Sequence, residues 1–142
     1  MEESISLLSM IKKSFALKEV DIRTYSPLAL AYMGDAVYDL VFRTAVVQKG
    51  NTSAHKLHIQ ATRYVKAPAQ AELADAIMED LTADELAVYK RGKNAKPYTM
   101  AKNATLIEYK KATGLEALMG YLYLTDQMER ALVLIQTGLE RL

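Results

Sequence analysis

Apolar side chains recur along this chain at three- and four-residue spacing, and no sustained apolar–polar alternation interrupts them. The pattern predicts helices almost throughout. Glu2–Leu17 reads as an amphipathic helix that offers Ile5, Leu8, Ile11 and Phe15 to one face. Val20–Tyr25 reads as a linker, with a short strand in VDIRTY as the alternative. Ser26-Pro27 is a strong start signal, because serine caps and proline suits the first helical position. The helix that follows runs from Leu28 to about Gln48, buries Leu30, Met33, Val37, Leu40, Val41 and Val47, and stops at Lys49-Gly50. Asn51 or Thr52 caps a third helix through Ala54, Leu57, Ala61 and Val65, which Pro68 limits unless it opens the next. Ala69–Met78 is helical. Thr82-Ala83-Asp84-Glu85 is a capping box that launches Asp84 to about Arg91, and Gly92 stops it. Thr99 caps a helix from Met100 to Lys111, and Thr113-Gly114 interrupts. Leu115–Leu124 is helical, and Thr125 or Asp126 caps Gln127–Gln136, with Met128, Ala131, Leu132 and Ile135 on its apolar face.

Seven or eight helices on short connections predict an all-α orthogonal bundle. Residues 1–24 supply an N-terminal helix and linker, and residues 25–142 a single domain large enough for a sizeable core. Composition narrows the chemistry. There is no cysteine, which excludes disulfides and thiolate metal sites, and the two histidines are too few for a histidine-rich zinc site. The N-terminus is acidic before it is apolar, unlike a secretory signal, and no apolar run is long enough to span a membrane. A cytoplasmic location is expected. The net charge of +1 hides a sorted distribution. Lys90, Arg91, Lys93, Lys96, Lys102, Lys110 and Lys111 lie in a stretch whose one acid is Glu108, while Glu72, Asp75, Glu79, Asp80, Asp84 and Glu85 gather upstream. A near-neutral protein can thus present one positive face.

Two carboxylates stand out because each sits in an apolar helical frame: Asp35 in LALAYMGDAVYD and Glu116 in TGLEALMGYLYL. A carboxylate there is costly unless it is hydrogen-bonded, paired or on a metal. If the two converge they form an oxygen-rich site of the kind Mg2+ prefers, which points to phosphodiester chemistry. The plainer readings are a solvent-facing aspartate and a glutamate favoured by the first-turn helix dipole. Asp39, one turn after Asp35, is either a supporting group or a solvated acid. His55, His58, Arg63 and Lys66 mark a second polar surface, read as packing and hydrogen bonding ahead of RNA contact. Gln70 either fixes a neighbouring helix or reaches a substrate. Tyr32, Tyr38, Tyr121 and Tyr123 fill core or interface.

Four stretches in order, LALAYMGDAVYDLV, RYVKAPAQAE, YKRGKNAK and ATGLEALMGYLYL, resemble the ribonuclease III catalytic domain, and more closely the Mini-ribonuclease III family that consists of that domain alone. The resemblance spans about Tyr25 to Leu142. It implies a ribonuclease III-like endonuclease fold and a dimer that hydrolyses double-stranded RNA with Mg2+, leaving 5′-phosphate and 3′-hydroxyl ends. The aspartate of the GDAV motif falls on Asp35 and the glutamate of the later EA(L/I)xG motif on Glu116, the two carboxylates central to the metal site. Two other family acids have no counterpart: their positions hold Ala31 and Thr113. Water, the Thr113 hydroxyl or substrate phosphate oxygens would fill the vacated places.

In this context the basic run acquires a role beyond a solvated face. Arg91, Lys93 and Lys96 would meet phosphates, Asn94 the backbone or 2′-hydroxyls, and Lys102 would extend the surface, in keeping with shape-based recognition of duplex RNA. The Leu28–Leu40 helix is apolar around much of its girth, so Tyr32, Met33 and Ala36 are candidates for a homodimer seam. The resemblance extends the expected activity to maturing the duplexed ends of 23S ribosomal RNA precursor, with a ribosomal protein as a further candidate partner. The alternative, suggested by Ala31 and Thr113, is a structured-RNA-binding or ribosome-assembly protein without catalysis.

Overall fold

The computed structural model describes residues 5–95 and 104–142. Their order is α1 (Leu7–Ser14), α2 (Pro27–Val47), α3 (Ala54–Val65), α4 (Ala67–Ile77), α5 (Ala83–Lys93), α6 (Leu106–Leu124) and α7 (Met128–Glu140), with single 3-10 turns at Ile22–Thr24 and Met78–Asp80. No strand occurs among the described residues, so VDIRTY is not extended: the Asp21 carboxylate caps the Ile22–Thr24 turn.

Local chemistry sets most boundaries. Ser26 Oγ accepts from the Ala29 amide at 3.1 Å and Pro27 opens α2. Thr82 and Glu85 form the expected reciprocal capping box. Other starts differ from expectation. Ser53, not Asn51 or Thr52, caps α3. Lys66 alone separates α3 from α4 in an extended conformation, and Pro68 sits inside the first turn of α4 rather than limiting α3. Thr105 caps α6 through a box with Glu108. The expected cap at Thr99 and start at Met100 lie outside the described residues. Neither Thr125 nor Asp126 caps α7. The Thr125 hydroxyl donates back to the Tyr121 carbonyl, and Asp126 adopts a positive φ of 58° that ends α6. The Gln127 amide then reaches back to the Leu122 carbonyl at 2.7 Å.

Two expected helix breaks are absent. Gly92 lies within α5, and Thr113-Gly114 lies within an uninterrupted 19-residue α6. The reason is contact. A methyl group on Gly92 would come within 2.7 Å of the Ala117 Cβ, and one on Gly114 within 2.8 Å of Tyr89. These glycines let α5 lie against α6, and that packing outweighs their poor helix propensity.

The result is a bundle built around α6. Leu115, Ala117, Leu118, Met119 and Leu122 are fully buried, and α2, α4, α5 and α7 all pack against this helix. Tyr38 and Phe42 from α2, Leu73, Ala74 and Ile77 from α4, and Ala131, Leu134 and Ile135 from α7 close the core. On α2 the buried stripe is Leu30, Ala31, Gly34, Val37, Tyr38, Phe42 and Val46. Met33 and Val41 are half-buried, and Leu40 and Val47, expected inside, are exposed. On α7, Leu134 and Gly138 join the buried face and Leu132 does not. Of the apolar face expected on α1, only Leu8 is buried; Ile5, Ile11 and Phe15 face outward. A polar latch ties α7 down. Arg130 donates to both oxygens of buried Glu85 at 2.9 and 3.0 Å and to the Asp80 carbonyl at 2.7 Å, and Arg141 pairs with Asp80.

Candidate metal and nucleic-acid site

The site begins with two backbones in contact. Where α2 crosses α6, a methyl group on Gly34 would stand 1.6 Å from the Glu116 carbonyl oxygen, and one on Gly120 1.9 Å from the Leu30 carbonyl oxygen. Only glycine fits at either place. The crossing brings Asp35, the residue after Gly34, beside the side chain of Glu116. Asp35 is exposed and Glu116 half-buried, so the pair sits at the mouth of the crossing with one carboxylate inside and one outside.

The electrostatics follow from this placement. Burial, and next the adjacent Asp35 carboxylate through contact and like charge, push the Glu116 acid up to about 8. The Gln70 amide neighbours Glu116 and opposes the shift. Burial, with the nearby Glu116 charge, also pushes the Tyr38 phenol up, so this wall of the site stays protonated. Glu116 must therefore take a proton or share a cation with Asp35. The donors are oxygens, and the Oε1 of buried Gln70 has no partner among the described residues. Such a set fits a hard divalent cation that keeps several of its waters. Among the described residues no third carboxylate or histidine joins the pair to complete a protein cage.

The positions without family acids have other occupations. Ala31 is buried against Leu30, Val88 and Ala117. Thr113 is buried, and its hydroxyl donates to the Tyr109 carbonyl at 3.0 Å, which fixes its proton within its own helix. Asp39 pairs with Arg43 at 2.7 Å and lines a separate groove with His58 and Thr62. His55 and His58 are exposed.

The basic run ends α5. Lys90, Arg91 and Lys93 occupy its last turn and Asn94 is its C-cap, an arrangement the helix dipole favours. Lys90, Arg91 and Asn94 are exposed and Lys93 half-buried. This turn is anchored next to the metal-site candidates, because Gly92 packs on Thr113 and Gly114, just before Glu116. Lys96 and Lys102 lie outside the described residues. Lys111 is engaged elsewhere, with Asp75 of α4 at 2.9 Å. Sequence reasoning left Gln70 undecided; its burial at the junction of α3, α4 and α6 has no signature in the chain.

Comparison with known proteins adds to this geometry. Residues 28–127 match the family model described as "Ribonuclease III domain". A Mini-ribonuclease 3 of Enterococcus faecalis is 51% identical over 112 residues, 78% of this chain and 85% of that protein. A Mini-ribonuclease 3 of a Thermoanaerobacter species is 40% identical over 125 residues, 88% of each chain. A crystal structure of a Fusobacterium nucleatum protein superposes with a TM-score of 0.77 at 34% identity, covering 86% of this chain and 98% of that one.

Proposed function

This chain belongs to the ribonuclease III domain family, among its Mini-ribonuclease 3 members, and is an endoribonuclease; on that premise we propose that Asp35 and Glu116 are its catalytic pair. Members of this family generally use a divalent metal. Here the ion is Mg2+, the substrate is double-stranded RNA, and the physiological task is trimming the ends of 23S ribosomal RNA precursor. The observation that carries the site assignment is the Gly34–Gly120 crossing, which sets an exposed and a half-buried carboxylate side by side.

Asp35 and Glu116 would hold the ion, and bound Mg2+ supplies an activated water and offsets charge on the phosphoryl oxygens. The chain's own residues bind, orient and exclude. Asp35 stands at the surface, where a phosphodiester can approach. Glu116 is carried by the most deeply buried stretch of α6, between the fully buried Leu115 and Ala117. Arg91 and Lys93 lie along the same end of the bundle and meet the RNA backbone, with Asn94 beside them and Lys96 and Lys102 continuing the basic run.

Cleaving both strands of a duplex calls for two copies of the site, and α2 offers a seam. Tyr32 is 84% exposed, and with Ala36 and Leu40 it forms an outward stripe one position round the helix from Asp35. This supports the homodimer reading. Products carry 5′-phosphate and 3′-hydroxyl ends.

The test is cleavage of generic duplex and of precursor ribosomal RNA, with and without Mg2+, by the wild type, Asp35→Asn and Glu116→Gln. Each variant keeps side-chain size and removes the charge that holds the ion. Cutting is expected to vanish in both while circular dichroism and RNA binding stay intact. A variant that cuts at the wild-type rate removes its residue from the mechanism. Binding without cutting in the wild type would favour the assembly-factor reading.

A further inference from the structure

Gln70 is 3% exposed, yet it is a polar side chain among the walls of an apolar bundle. It lies in the first turns of α4, where Lys66 provides no side-chain cap. Its Nε2 donates to the Val65 carbonyl at 2.9 Å, satisfying the end of α3. The same amide neighbours the Glu116 carboxyl. Its Oε1 is buried and has no partner among the described residues. A helix tie explains the nitrogen and leaves the oxygen unexplained. An orphaned buried oxygen is destabilising, and in native proteins it calls for an explanation such as a bound water or ion. Glu116 stands beside this side chain, and no third carboxylate or histidine joins the carboxylate pair among the described residues.

We propose that Gln70 is the third protein oxygen of the Asp35–Glu116 centre, its Oε1 bound to the cation or to a water the cation holds. The inference rests on the reading of Asp35 and Glu116 as cation ligands. A neutral amide here compensates in part for the missing acids at Ala31 and Thr113 and adds no further negative charge to a pair that already repels.

The experiment is Mn2+ binding to the full-length protein without RNA, followed by electron paramagnetic resonance, for the wild type, Gln70→Leu, Gln70→Glu and Asp35→Asn. Thermal melting in EDTA runs alongside. Gln70→Leu is expected to raise the Mn2+ dissociation constant about tenfold or more. Gln70→Glu is expected to lower it several-fold, because the added charge faces the ion, while lowering the melting temperature in EDTA. A purely structural glutamine would shift melting in both variants and leave the dissociation constant unchanged; that result overturns the proposal. If Gln70→Leu does not fold, Gln70→Glu decides: tighter Mn2+ binding supports the proposal and equal or weaker binding overturns it. Asp35→Asn separates the two levels. If it abolishes binding while both Gln70 variants leave it unchanged, only the role of Gln70 falls. If wild type binds no better than Asp35→Asn, the centre itself is misassigned and the inference falls with it.

Discussion

Glu116 carries a pH dependence whose sign can be worked out. Its acid is raised from 4.5 to about 8 in the folded protein without a cation. The fold therefore favours the protonated form. This group's contribution to stability is fully present below pH 4.5 and is lost as pH rises through 8. In EDTA the protein is expected to melt at a lower temperature at pH 9 than at pH 6, and Glu116→Gln is expected to flatten that slope. Because a cation must displace the proton, the Mg2+ needed for half-maximal cleavage should rise by up to about tenfold per unit as pH falls below 8. A titration of cleavage against Mg2+ at three pH values checks this. At this scale the sequence was partly readable. Asp35 and Glu116 stood out because charge in an apolar helix needs a reason. Gln70 did not, because an amide in a mixed helical stretch is unremarkable until its burial is known.

At the scale of elements, backbone contact matters more than side-chain choice. Gly34→Ala would force a methyl group into the Glu116 carbonyl, against backbone that cannot swing aside. The α2–α6 crossing must open. The expected cost is about 3 kcal/mol or more, read as a fall in the urea midpoint. Cleavage should drop roughly a hundredfold in the folded fraction, since an ångström of misplacement is felt that strongly at a reacting centre. The same contacts show why caps were easier to read than glycines. Ser26-Pro27 and the Thr82–Glu85 box depend on neighbours in sequence. Gly92 and Gly114 depend on helices distant in sequence, so local propensity gave breaks where packing demands continuity. Thr105–Glu108 carries the same local signal as Thr82–Glu85 and caps α6 in the same way. The register of α2 was misjudged because that helix is apolar on nearly every side, and its phase is set by where α6 lies.

For the whole molecule, sorted charge matters more than the total. A net charge of +1 would predict weak attraction to RNA, yet the end of α5 concentrates Lys90, Arg91 and Lys93. Replacing Arg91 and Lys93 together with alanine is expected to weaken duplex binding about equally for different RNA sequences. The slope of log affinity against log salt should fall by about one per lost contact. Affinity measured across a salt series checks this. An unchanged slope would make the run a solvated surface, and a loss confined to one sequence would mean that it reads bases. The all-α architecture was legible because helical periodicity pervades the chain, whereas the fate of α1 was not, since an amphipathic helix does not say which neighbour it will find.

The central position of α6 has a kinetic consequence. With four helices packed around it, α6 holds most of its residues between Thr113 and Leu122 buried, and their backbone amides are the best shielded of the bundle. They are expected to exchange with deuterium only when the whole bundle opens, so their exchange free energies report global stability. A cation that binds only the folded protein makes that opening rarer by a factor of one plus the ratio of free cation to its dissociation constant. The helix that carries Glu116 is thus its own internal gauge of ligand binding, readable amide by amide without any RNA being cut.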